Sequence, residues 1–178
     1  IKAVLKKQKL VDEQDNWSGG RSHFVSLGNF IGAGNKNRKL MDWFISLQTQ
    51  AELAGGGFNL VLGRNELKSL TGGLNDIALD EFIEIESQKV REEKYQLFSN
   101  THQNLPEITR INEFEKQYPK GYFSRQMAFS FSGKYGRWLT SLPFVIQINQ
   151  ELFAHGGLSP AFGTRNLGQL NQALSQAL

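Results

Sequence analysis

The 178-residue chain contains no cysteine. Disulfides and thiolate metal sites are therefore excluded, and the redox compartment is left open. It also lacks any apolar run near the about 18 residues that cross a bilayer as a helix, so no membrane span is expected. No signal or transit pattern precedes the first apolar segments. Dominant charge is missing too. Twenty basic residues face 17 acidic ones for a net charge of +3, too little and too scattered to argue for a nucleic-acid partner. Two basic groups, Lys2/Lys6/Lys7/Lys9 and Lys36/Arg38/Lys39, read as solvated helix faces. A soluble protein is expected, in the cytoplasm or in an organelle such as a chloroplast or mitochondrion. The chain opens at Ile1 without a methionine, so an upstream segment is expected.

What is present is a globular composition. Hydrophobic residues make up 39% and charged residues 21%, enough for one domain with a sizeable core. The organising stretch is residues 25–66, VSLGNFIGAGNKNRKLMDWFISLQTQAELAGGGFNLVLGRNE. A strand over 24–27, apolar enough to be buried on both faces, runs into a glycine loop. Asn35 is placed to cap the helix that follows. Leu40, Phe44, Leu47, Ala51 and Ala54 give that helix one apolar stripe. Gly55, Gly56 and Gly57 end it, a second strand covers 58–62, and GRNE forms another glycine corner before a short helix over 67–70. Strand, loop, helix, strand and loop together build a parallel α/β unit that keeps ligands at its strand ends.

Upstream, Ile1, Val4 and Leu5 mark an amphipathic helix, followed by a polar turn through Gly19 and Gly20. Downstream, residues 76–118 are charge-rich and read as a helical insert. The aromatic stretch over 121–144 reads as satellite core. FVIQIN and ELFAHG form a hairpin about Asn149 and Gln150, leading into HGGLSP. A closing helix is expected over 165–178, with Leu167, Leu170 and Leu174 on one face.

Three strand-end corners therefore stand in order, GNFIGAG, GRNE and HGGLSP. With AGGGFNLVLGRNE, LTGGL, YGRWL and LFAHGGLSP, the chain resembles the metallophosphoesterase (calcineurin-like) superfamily, and within it the Shewanella-like PPP-type protein phosphatases. The resemblance implies an αββα fold, a β-sandwich flanked by helices. It is expected to be incomplete at both ends, because the family's first motif would precede Ile1 and its last histidine ligand would follow Leu178. It implies one domain over 1–178 with the 76–118 insert. The family uses two divalent metals such as Mn, Fe or Zn to activate a hydroxide and clamp a phosphoester.

Carried over position by position, the resemblance puts Asn29 where a metal-bridging aspartate belongs. Gly32 takes the place of the aspartate that orients the catalytic histidine, and Ala33 that of a phosphate-gripping arginine. Arg64 replaces a metal-binding amide and Asn65 the general acid. His155 alone matches a ligand. A neutral amide brings no charge to compensate two dications. A guanidinium in that shell adds several kcal/mol of repulsion at ~4 Å with an effective dielectric near 20. The expectation is a catalytically inactive pseudoenzyme without metal cofactor. It would serve as a structural subunit bound to protein partners in a larger assembly, with no small-molecule substrate. The alternatives are a metal-dependent serine/threonine or tyrosine phosphoprotein phosphatase with an atypical site, and a metal-free anion sensor built on Lys36, Arg38 and Arg64.

Overall fold

The computed structural model describes residues 1–72, 78–160 and 166–176. Helix α1 (Lys2–Lys7) buries Leu5 and turns through Lys9 and Asp15, both with positive φ. Asp12 holds that turn by accepting from the Gln14 and Asn16 amides at 2.9 and 2.8 Å, the local bond that makes aspartate a turn former.

Strand β1 (His23–Ser26) pairs in parallel with β2 (Gly57–Leu60), His23 opposite Gly57 and Ser26 opposite Leu60. Helix α2 (Asn37–Leu53) is the crossover between them, the connection a parallel pair requires. Its buried face is Met41, Phe44, Leu47 and Ala51, one side of a 3.6-residue period. Two members of the expected stripe differ. Leu40 is half-buried, and Ala54 is exposed because it is the C-cap. The expected cap is displaced as well: Lys36 occupies the N-cap, and Asn37, buried, is the first helical residue.

Phe44 packs on Phe58 at 5.0 Å between ring centres, and Phe58 stacks on Phe24 at 4.6 Å. Strand β1 is less buried than expected. Phe24 and Val25 are half-buried and Leu27 is exposed, because α2 packs on β2 rather than on β1.

Helix α3 (Arg64–Leu70) follows the second corner and is longer than the sequence pattern implied. Four helices then cover the charged and aromatic stretches: α4 (Asp80–Ile83), α5 (Gln88–Thr101), α6 (Glu107–Gln117) and α7 (Tyr122–Phe129). Helicity does not stop at 118 but continues through α8 (Lys134–Ser141). Residues 76 and 77 of the expected insert lie outside the described residues.

The helices are joined by Arg91, which pairs with Glu86 at 3.1 Å and Glu115 at 2.8 Å and donates to the Tyr118 carbonyl at 2.7 Å. The aromatic stretch was expected as satellite core, but Phe129, Tyr135, Leu139 and Leu142 join Phe44 and Leu62 in the one main cluster.

Strands β3 (Val145–Ile148) and β4 (Glu151–Ala154) form the antiparallel hairpin, turning at Asn149 with φ 56°. In α9 (Leu167–Ser175), Leu170 is buried, and Asn171 accepts from the Phe144 and Val145 amides while donating to the Val145 carbonyl at 2.8 Å. Arg165, Ala177 and Leu178 lie outside the described residues.

The mixed α/β class holds, with about half the chain helical. The β-sandwich does not appear among the described residues. Their four-residue strands make two separate two-stranded sheets, joined by a single backbone bond from Leu62 to the Pro143 carbonyl at 2.9 Å. Among these residues no helix is long and apolar enough to cross a membrane.

Candidate functional site

Parallel strands β1 and β2 end side by side, so the two glycine corners meet. Gly28 has φ +89°, and a Cβ on it would lie 2.5 Å from the Gly63 nitrogen; one on Gly63 would lie 2.6 Å from the Asn29 nitrogen. Only glycine allows that approach and that dihedral together. Below the contact sits Glu66, fully buried. Its carboxylate accepts the Gly63 amide at 2.9 Å, the Asn29 amide at 2.8 Å and the Ile31 amide at 2.9 Å. Three N–H donors satisfy a buried charge that would otherwise be costly.

On top, the Asn29 side-chain oxygen accepts the Asn65 amide at 3.1 Å, and Asn65 Nδ2 donates to the Ile31 carbonyl at 2.7 Å. Asn29 itself is exposed in the left-handed region, φ 55°, which asparagine tolerates.

The third corner reaches the same place. His155 Nδ1 meets the Leu27 carbonyl at 2.6 Å across 128 residues of sequence. A carbonyl only accepts, so this contact puts a proton on Nδ1 and leaves Nε2 as the ring atom free to meet a ligand. His155 and Arg64 are both exposed. Together they line a cavity of about 410 Å³ whose apolar wall includes Leu62, Phe144 and Leu158.

The loop between Asn29 and α2 is tied from its other end. Asn37 accepts the Gly32 amide at 3.0 Å and donates to the Gly32 and Gly34 carbonyls. Glu81, from α4, receives the Asn37 and Arg38 amides, each at 2.7 Å. The helix-start N–H groups that would draw an outside anion are thereby taken from within. Arg38 turns to the same residue, donating to the Glu81 carbonyl and lying 5.5 Å from the Phe82 ring.

The residues named from sequence thus divide. Asn29, Arg64, Asn65 and His155 come together. Gly32 and Ala33 lie on the tied loop, and a Cβ on Gly32 would meet nothing within 4 Å. Lys36 lines a second cavity with Asn29 and Asn65, whereas Arg38 is engaged with Glu81. Glu81 and Asn37 were not singled out from sequence. No local signal marks them, since the partners stand 44 residues apart. Glu66 stands at the capping-box spacing from Gly63, but its bonds to Asn29 and Ile31 span 37 and 35 residues, beyond any local pattern.

The donors at this corner do not fit a two-metal centre. Both oxygens of Glu66 are engaged by amides, and Asn29 and Asn65 are neutral. Among the described residues no three histidine, cysteine, aspartate or glutamate side chains cluster to hold an ion.

No family model matches the chain. It is 23% identical over 171 residues to Shewanella-like protein phosphatase 1 of Plasmodium berghei, covering 96% of this chain and 39% of that protein. It is 29% identical over 76 residues to Shewanella-like protein phosphatase 2 of Arabidopsis thaliana, covering 41% of this chain and 19% of that one. Among solved structures, a cold-active protein-tyrosine phosphatase of a psychrophilic Shewanella species superposes with a TM-score of 0.65 at 25% identity, over 98% of this chain and 44% of that one. The chain is related to the Shewanella-like protein phosphatases. It spans about two-fifths of the length of the first of these relatives. These relatives overturn the expectation of an inactive scaffold and non-enzyme: each is named as a phosphatase, and nothing in the comparisons marks an inactive branch.

Proposed function

We propose that the chain is part of a phosphoprotein phosphatase of the metallophosphoesterase type, acting on phosphoserine/threonine or phosphotyrosine with an atypical site. The supporting observation is the His155–Leu27 bond, which draws the third corner onto the first two and sets His155 and Arg64 on one cavity. The phosphatase relatives supply the reaction class.

In this site Arg64 grips the phosphoryl oxygens, since its planar fork of N–H donors suits tetrahedral oxyanions. His155, oriented through Nδ1, leaves Nε2 to hold a ligand or a proton at the phosphoester. Phe144 and Leu158 add an apolar wall beside these charged groups. Because the described donors do not complete a metal set, no step is assigned to a metal.

The test is phosphate release from phosphotyrosyl and phosphoseryl peptides, with Mn, Fe or Zn supplied in turn. Turnover that falls in Arg64→Ala through a raised KM supports the reading. Absence of release from every peptide under every metal overturns it.

A further inference from the structure

A second cavity, about 810 Å³, is lined by Asn65, the chain neighbour of Arg64, which lines the first. It is the largest of the described cavities. Its lining includes Lys2, Lys36, Lys39, Asn29 and Asn65, with no aspartate or glutamate among the described residues. We infer that this cavity receives the acidic segment of a peptide whose phosphorylated residue lies at Arg64 and His155. The substrate class follows from the phosphatase reading above; the recognition chemistry rests on the cavity itself.

The charges there are not neutralised from within. Lys2 is spoken for, paired with Asp15 at 2.5 Å and lying 4.7 Å from the Trp43 ring. Lys36 and Lys39 are exposed and make no ion pair among the described residues. Glu81, on α4, is occupied by the Asn37 and Arg38 amides, and Asp42, on α2, pairs with Lys134 at 2.6 Å; neither pairs with Lys36 or Lys39. Two lysines therefore line the cavity without an ion-pair partner among the described residues, an arrangement that attracts an anionic partner.

The walls supply hydrogen bonds and room. Asn29 uses its side-chain oxygen on Asn65, while its Nδ2 has no partner among the described residues. A Cβ placed on Gly32 or Gly34 would meet nothing within 4 Å, so the loop backbone is open to an incoming chain. The occupant is a peptide rather than a nucleic acid. Grooves for single-stranded nucleic acid pair cations with free aromatic faces. The one ring among the described lining residues, Phe30, is already packed on Phe44 at 5.5 Å and Trp138 at 5.7 Å.

Fluorescence anisotropy tests this without turnover. Labelled unphosphorylated peptides of equal length, one glutamate-rich and one with glutamine in its place, are titrated against the protein at low salt, where unscreened charge counts most. The expected result is about fivefold or greater preference for the glutamate peptide, in line with a pair of partly screened charge contacts. That preference is lost in the Lys36→Glu/Lys39→Glu double variant, reduced in Gly34→Glu and kept in Arg64→Ala. Equal binding of the two peptides overturns the inference, as does a preference that survives the double variant. Tighter, lysine-dependent binding of a single-stranded oligonucleotide overturns it as well. A glutamate preference without phosphate release would sink the phosphatase reading while leaving the acidic-peptide site standing.

Discussion

The Glu66 carboxylate accepts the backbone N–H of Asn29 at 2.8 Å, fastening together two strand ends that lie 37 residues apart in the chain. The same side chain holds Gly63 and Ile31, so one buried charge sets the relative position of both corners. Replacing Glu66 by glutamine turns one acceptor into a donor facing an N–H. The expected loss is about 3 kcal/mol, the cost of breaking a buried, charge-assisted network. A thermal melt would read it, and Glu66→Gln melting with the parent protein would show that the network does not hold the corners.

Gly28 and Gly32 stand four residues apart and are expected to respond oppositely to alanine. At Gly28 the new Cβ meets the Gly63 backbone at 2.5 Å with φ at +89°, a strained dihedral and a clash together. Loss of about 2 kcal/mol or more is expected. At Gly32 there is open space and no positive φ, so Gly32→Ala is expected to be neutral or slightly stabilising, by up to about 1 kcal/mol. Paired denaturant titrations separate the two.

Glu81→Ala removes the carboxylate that receives the first two amides of α2 and stands beside Arg38. The helix start is expected to fray, with a cost of about 1–2 kcal/mol, as for the loss of a favourable cap. Hydrogen exchange at Asn37 and Arg38 should quicken while the α2 core around Leu47 stays protected. Uniform quickening along α2 would contradict a local role.

Strand and helix positions in the opening unit followed from apolar periodicity, and so did the meeting of the corners, because parallel strands must end together. The cap at Asn35 failed because Glu81 supplies the helix start from a distant element, which local spacing cannot register. Burial of β1 failed for a related reason: an apolar strand declares that it could be covered, not which helix covers it. His155 stood out from its motif, but its docking on the Leu27 carbonyl required the chain to fold back over 128 residues.

Asp15 gives the acid response a definite sign. Its carboxyl is held below its ordinary value, chiefly by the hydrogen bond from Lys2; desolvation opposes this, and Lys6 adds to the lowering. The folded value lies below the unfolded one, so the stability it lends is whole above the unfolded value and lost as pH falls through the folded value. Lys6 is raised, chiefly by Asp15, so its share is whole below its unfolded value and lost as pH rises through the folded one. Asp15→Asn should flatten the acid limb of a stability–pH curve, and 1 M salt should shrink the difference from the parent protein because the pair is exposed. An acid limb identical in the two proteins would count against the pair.

The backbone contact at Gly28 and Gly63 leaves no room for a side chain, whereas the loop beyond it is open at Gly32 and Gly34. Frame and cargo are thus separated within seven consecutive residues. Ligands, charges or bulk can be exchanged along residues 32–34 as a cassette while Gly28, Gly63 and Glu66 stay fixed, so the chemistry at this corner can be rewritten without redesigning the fold that presents it.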